Sequence, residues 1–549
     1  MRSRKALKNM VASMSFEAIS VVCGLIVPRL ILRSFGSSYN GITASITQFL
    51  SCVVLLRAGV AGVTRAALYK PLAEHDDRTV SEIVNATMRF MRRIALIFAA
   101  SIAGFACLYP LLVRAEFGWV FSATLVLILG VHTFMQYYFG LAYQFLLEAD
   151  QRQYVLSVIQ IGAILLNTVL SAVLIGLGAG IHVVKLGSAA AFSMTPLLLN
   201  LYIRKKYRID RRVPPSNRTL KQRWDAVGQS VAFFIHNNTD LVVLTVFTNM
   251  REVSVYTVYN YVIANIRLVL MTFVTGFGAA FGNMLARGEK ALLEENLKLY
   301  ELIVFGLTTV IYATAGTMIV PFVLIYTTGI HDVSYLRPLF AFLATTAGAF
   351  SCYRIPYQSI VEAAGHFRQT RNGAFVEAGL NIGISILAVS RYGLVGVAFG
   401  TLVATIFRSV QYSWYLSRHV VVRSPWIFWR HILISLGVGG VTFTLAQEAY
   451  TFAAPNFLLW GLKAALVMLT ALALVMMMYA LFFRHDLHSL IRKLRAMFRH
   501  GIRRRTAPGV TGAAGAVIAA GAEPPADAGQ GSEPEPREIP GASDIQDDL

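Results

Sequence analysis

Residues 143–149 read Tyr143-Gln144-Phe145-Leu146-Leu147-Glu148-Ala149, and residues 357–363 read Tyr357-Gln358-Ser359-Ile360-Val361-Glu362-Ala363. Tyr, Gln, Glu and Ala recur in register, shifted by 214 residues. Hydrophobicity alone does not hold a pattern at one fixed offset, so the pair marks an internal repeat. Asn167 matches Asn381 at the same offset, and Gly180, Gly187 and Ser188 match Gly393, Gly400 and Thr401 at an offset of 213. The chain therefore carries one unit twice.

What the unit is made of follows from composition. The 549 residues are 56% hydrophobic and 14% charged, with a mean hydropathy of +0.58. Soluble domains are about one quarter charged. A membrane-crossing helix needs about 20 mostly apolar residues to traverse roughly 30 Å of hydrocarbon. Fourteen such spans are expected, near 11–33, 41–63, 94–113, 119–142, 154–176, 181–202, 226–248, 254–283, 300–327, 335–358, 370–390, 392–415, 430–449 and 459–483. The fold class is thus an all-α polytopic membrane protein of two pseudo-symmetric six-helix lobes plus two extra C-terminal helices. Spans thirteen and fourteen have no counterpart in the repeat.

The formal net charge of +20 would suit a nucleic-acid binder only if Lys and Arg gathered on one exposed face. They sit instead between apolar runs, so no nucleic acid is expected. Most of the 49 basic residues fall on alternate connections: Arg2, Arg4, Lys5 and Lys8, the stretch Arg204 to Arg223, and the stretch Arg484 to Arg505. Positive residues are retained in the cytoplasm, which places both termini there. The division expected is 1–202 for the first lobe, 203–225 for a basic cytoplasmic linker, 226–415 for the second lobe, 416–483 for helices thirteen and fourteen, 484–505 for a basic segment and 506–549 for a disordered tail rich in Ala, Gly, Pro and acid. An even helix count per lobe puts the pseudo-two-fold axis along the membrane normal, an arrangement suited to alternating access.

The stretch Asn237-Asn238-Thr239-Asp240-Leu241-Val242-Val243-Leu244, with Tyr256 to Tyr261 after it, resembles the seventh and eighth helices of the Wzx-like polysaccharide and O-antigen flippases. Arg391-Tyr392-Gly393-Leu394-Val395-Gly396-Val397-Ala398-Phe399-Gly400-Thr401 resembles their twelfth. These belong to the multidrug/oligosaccharidyl-lipid/polysaccharide (MOP) exporter superfamily, whose MATE-like layout corresponds to about residues 1–483. The resemblance implies movement of an undecaprenyl-pyrophosphate-linked glycan to the outer leaflet of a bacterial inner membrane. It implies as partners the lipid-linked oligosaccharide, the lipid bilayer, and a polysaccharide polymerase and chain-length proteins.

Charges retained inside apolar spans are costly and usually face a protein interior or a wet cavity. Arg29, Arg354 and Arg408 lie near helix ends, where a guanidinium snorkels to the interface. Arg267 lies near mid-span. Arg57 shifted by the repeat offset falls one helical turn from Arg267, and Tyr256, Asn260 and Arg267 share a helix face by spacing. Arg presents a planar donor fork that matches phosphate oxygens. Candidate substrate-binding residues are therefore Arg57, Arg267, Asn260, Tyr256 and Arg29. Asp240, Glu377 and Glu17 are ion-coupling candidates, since protonating a buried carboxylate removes its desolvation cost; neutralising a buried Arg is the equal alternative. His236 and Asn237 share the Asp240 face.

No cofactor or metal is expected, and no enzyme activity. Cys23, Cys52, Cys107 and Cys352 lack metal or redox spacing. Gly276, Gly278 and Gly282 lie in an apolar span, where small residues permit close helix packing, and no Gly-Lys pair exists to build a nucleotide loop. Two rival readings remain: a cation-coupled drug antiporter of the same superfamily, whose cavity should be acid-biased, and a polytopic glycan-assembly enzyme, which needs a sizeable outer loop that these short connections do not supply.

Overall fold

The computed structural model describes residues 2–51, 54–113, 116–214, 238–274, 277–449 and 456–504. Its regular elements are helices. The first half holds α1 (Arg2–Phe35), α2 (Ser37–Leu50), α3 (Val54–Glu74), α4 (Asp77–Leu112), α5 (Trp119–Met135), a π-turn (Gln136–Gly140), α6 (Leu141–Ala149), α7 (Gln153–Gly176) and α8 (Ile181–Lys206). The second holds α9 (Asn238–Phe247), α10 (Met250–Val274), α11 (Phe277–Ala286), α12 (Lys290–Tyr326), α13 (Pro338–Tyr353), α14 (Ile355–Ala363), α15 (Phe367–Tyr392) and α16 (Leu394–His419), followed by α17 (Trp426–Ala449), α18 (Phe457–Phe482) and α19 (Arg484–Arg504).

Among the described residues, eleven helices are long and apolar enough to cross a membrane. The expected second span, 41–63, falls instead on two helices, α2 and α3. The expected tenth, 335–358, straddles α13 and α14, which part at Arg354. The third begins in α4, whose 36 residues extend about 54 Å at 1.5 Å per residue. That is far more than the hydrocarbon thickness, so its first turns stand clear of it. Asp76 caps them, accepting from the amides of Arg78 and Thr79.

Helix starts repeat at the spacing read from the motifs: 37 and 250, 77 and 290, and 181 and 394 each differ by 213. Side-chain bonds repeat too. Gln144 Nε2 donates to Glu148 Oε1 at 2.9 Å, and Gln358 Nε2 to Glu362 Oε1 at 2.7 Å. The polar residues of the motif are thus conserved in geometry between the two halves.

The two halves meet along α2 and α10. Their approach is close enough that a Cβ on Gly41 would lie 1.8 Å from the Met250 carbonyl oxygen. Beside it, Asn40 Nδ2 donates to Ser254 Oγ at 2.9 Å, and Thr245 Oγ1 to Ser45 Oγ at 2.9 Å. Among the described residues, Gly278 and Gly282 do not serve the packing role expected of them: an added Cβ at either meets none of these within 4 Å. Gly276 lies outside the described residues, as do Cys52, His236, Asn237, residues 215–225 of the expected linker and the 506–549 tail.

Helices α17 and α18 pack on α12, with Tyr479 OH donating to the Leu302 carbonyl at 3.1 Å. Helix α19 returns along the same end, where Lys493 Nζ reaches Glu295 Oε1 at 2.9 Å.

Candidate functional site

Asp240, three residues into α9, is the centre of a polar node drawn from three other helices. Thr401 Oγ1 of α16 donates to Oδ2 at 2.7 Å, Tyr256 OH of α10 to Oδ2 at 3.3 Å, and Asn381 Nδ2 of α15 to Oδ1 at 3.2 Å. Asn381 also donates to Thr401 Oγ1 at 3.1 Å, while its own amide oxygen is buried and has no partner among the described residues. Ser385, one turn along α15, bonds the Val397 carbonyl at 3.5 Å. Carboxylate, hydroxyl and amide oxygens so placed suit a proton or a hard monovalent cation, since such ions take oxygen ligands. No group of three or more His, Cys, Asp or Glu suited to a metal occurs among the described residues.

One helical turn from Asn381 along α15 lies a second charged cluster. Glu377 of α15 takes Arg354 Nη1 at 2.8 Å on Oε1 and Arg408 Nε at 3.4 Å on Oε2. The side chains of all three are 8% exposed or less. Arg408 also donates to the Thr370 carbonyl at 2.9 Å and to Tyr412 OH at 3.0 Å. Glu377 thus sits between two arginines, and neither arginine snorkels outward. Its sequence neighbours gave no warning of this, because Arg354 and Arg408 are supplied by other helices.

Arg267 of α10 stands beside this cluster, with Arg354, Cys352, Tyr312 and Glu377 as its electrostatic neighbours. No hydrogen bond or ion pair joins it to another described residue. Its expected companions on the α10 face divide. Tyr256 is committed to Asp240, and Asn260 is exposed. Arg57 falls in α3, but its side chain lies outside the described residues. Arg29 is not brought to Arg267: its guanidinium lies 5.9 Å from the Tyr326 ring centroid and 5.3 Å from that of Phe457. Glu17 is exposed on α1.

At the end opposite the basic residues, the halves are tied by polar contacts that sequence reading did not single out. Ser37 donates its amide to Asp332 Oδ2 at 2.6 Å and its hydroxyl to Oδ1 at 2.7 Å. Tyr335 OH bridges Ser37 Oγ at 2.8 Å and Ser254 Oγ at 3.1 Å. Glu116 receives the Met250 amide at 2.8 Å. At the basic end the corresponding pairs, Arg65 with Glu148, Lys5 with Asp150 and Arg423 with Glu301, each stay within one half.

No family model and no curated protein matches the chain. Solved structures do. A lipid II flippase, MurJ, in an inward closed conformation, superposes with a TM-score of 0.65 at 16% identity, covering 87% of this chain and 98% of that one. A MOP superfamily transporter from Pyrococcus furiosus, described by a reversed polarity of its binding pocket, gives 0.52 at 14% identity, covering 76% and 96%. An outward-facing multidrug resistance MATE family transporter gives 0.51 at 14%, covering 75% and 95%. These are transporters, and this chain shares their all-helical fold.

Proposed function

We propose that the protein is a secondary transporter that moves a lipid-linked oligosaccharide, carried on undecaprenyl pyrophosphate, from the cytoplasmic to the outer leaflet of a bacterial inner membrane. The reading takes fourteen crossings, with six-helix lobes at 1–202 and 226–415 and both termini cytoplasmic, as the distribution of Lys and Arg requires. Contacts tying the lobes at the far end, with those at the basic end kept within each lobe, fit a carrier shut to the outside.

The observation that carries the substrate class is the state of the arginines. Arg354 and Arg408 share the Glu377 carboxylate, whereas Arg267 has no such partner among the described residues. A half-buried guanidinium without a carboxylate in contact is costly unless an anion arrives, and a pyrophosphate matches its donor fork. A carrier of cationic drugs would need the opposite polarity. Asp240 serves as the coupling site: a proton or monovalent cation bound there changes the charge of a node that links α9, α10, α15 and α16.

The test is reconstitution in liposomes containing a pyrophosphate-linked glycolipid in one leaflet, read by a membrane-impermeant glycosidase, alongside efflux of a cationic dye. Protein-dependent glycolipid exposure without dye efflux supports the reading. Dye efflux without glycolipid movement replaces it with the antiporter.

A further inference from the structure

The repeat supplies an internal control at the basic end of the two halves. In the second half, the strap after α16 places Arg423 over the ring of Tyr357, the repeated tyrosine, at 5.8 Å. That guanidinium is neutralised by a two-pronged pair with Glu301 of α12, whose side chain is 1% exposed. In the first half, the strap after α8 does the same with Arg211, whose Nη2 donates to Tyr143 OH at 3.3 Å. Position 301 shifted by the 213-residue offset of α12 to α4 is Met88. The carboxylate is missing, and Met88 packs into the cluster that contains Tyr143 and Ile203.

Beside Tyr143 lies a cavity of about 380 Å³, lined by Tyr143, Tyr207 and the exposed Arg204, Arg208, Asp210 and Arg211. Asp210 is engaged by the Arg212 amide at 2.8 Å. Two other acids of this half are already paired: Glu148 with Arg65 and Gln144, and Asp150 with Lys5, Arg152 and Tyr207. The strap is also pinned in place. Asn85 Nδ2 donates to the carbonyls of Asp210 and Val213 at 2.9 and 3.0 Å, and the Asp210 amide meets Ser81 Oγ at 3.1 Å. Three exposed arginines and one aspartate therefore line this hollow, without the buried carboxylate that Glu301 supplies in the other half.

We propose that this cavity binds a phosphate-bearing anion, which takes the place that Glu301 fills in the second half. Three Arg forks favour phosphate oxygens over a single carboxylate, and the volume admits a headgroup larger than one carboxylate. The site is separate from the Arg267 region and does not depend on the transport reading.

The experiment uses the full chain in phosphatidylcholine nanodiscs, in wild type and in an Arg267→Ala background that removes competition from the interlobe arginine. Sodium pyrophosphate is one probe and inclusion of phosphatidylglycerol in the disc is the other, read by thermal unfolding and, for the lipid, by native mass spectrometry. A rise in the unfolding midpoint with pyrophosphate alone assigns a soluble phosphate. Retention of phosphatidylglycerol alone assigns a lipid headgroup, and either outcome supports the site. Met88→Glu, which restores the missing carboxylate, should abolish the response while Met88→Gln preserves it. Arg211→Met should weaken binding about tenfold, one charge-assisted contact being worth about 1.4 kcal/mol. No response to either probe, equal loss in Met88→Gln and Met88→Glu, or wild-type binding by Met88→Glu would overturn the proposal.

Discussion

Ser37 and Asp332 close the far end between them: one residue of α2 gives both its amide and its hydroxyl to one carboxylate in the loop after α12. Because hydrogen bonds to a charged group contribute about 1.5–3 kcal/mol each, loss of the carboxylate's charge should shift the open–closed balance roughly tenfold or more. Asp332→Asn is expected to increase the outward-open population. Spin labels at the exposed ends Leu177 and Tyr392 report it as a longer distance; an unchanged distribution would show the bond to be incidental.

Gly41 gives an independent handle on the same closure. Any side chain there meets the Met250 backbone, which cannot swing aside as a flexible side chain does. Gly41→Val should hold α2 and α10 apart, lengthen the same label distance, and slow transport without unfolding the protein.

Substitutions at Arg267 and Glu377 are expected to separate substrate binding from charge balance. Arg267→Ala should abolish glycolipid delivery at normal membrane abundance, and Arg267→Lys should keep part of it, since charge survives but the fork is lost. Glu377→Gln leaves Arg354 and Arg408 sharing no carboxylate and should destabilise the fold by about 3–5 kcal/mol, read as loss of folded protein. Normal delivery by Arg267→Ala, or its rescue by a second change at Glu377, argues for charge balance instead.

Asp240→Asn keeps the shape of the node and removes its titratable charge. Transport driven by an ion gradient should fall to the rate without a gradient, while glycolipid binding is retained. Thr401→Ala, which deletes the 2.7 Å donor, should raise the ion concentration needed for half-maximal transport. Gradient-dependent transport by Asp240→Asn would move the coupling site elsewhere.

The cap of α4 has a pH signature. The Thr79 hydroxyl and amide and the Arg78 amide hold the Asp76 carboxyl below its ordinary value. A depressed carboxylate stabilises the folded helix end fully above the unfolded pKa of about 3.9 and loses that contribution as pH falls through the folded one. Protection of the first-turn amides of α4, taken relative to their intrinsic exchange rates, should therefore fall below about pH 4 in the wild type, and be low throughout in Asp76→Ala.

Much of this protein is legible in its sequence because the signals are local. Apolar length marks the crossing helices, since the hydrocarbon sets one dimension for all of them. The Tyr-Gln-Glu-Ala motif at a shift of 214 predicts two equivalent halves, and the helix starts at 37 and 250, 77 and 290, and 181 and 394 keep nearly the same shift. The polar residues Asp240, Glu377 and Arg267 also stand out, because charge inside an apolar run is expensive wherever it points. Their partners do not stand out. Spacing of four or seven places Tyr256 and Arg267 on one face, yet Tyr256 is spent on Asp240 while Arg267 stands beside Arg354. Glu377 is claimed by arginines from α14's start and from α16, a choice made by how three helices pack. Helical periodicity fixes which way a side chain leaves its own helix; only tertiary packing decides which foreign atom it meets, and whether, as between Met88 and Glu301, one half fills a charge that the other leaves open.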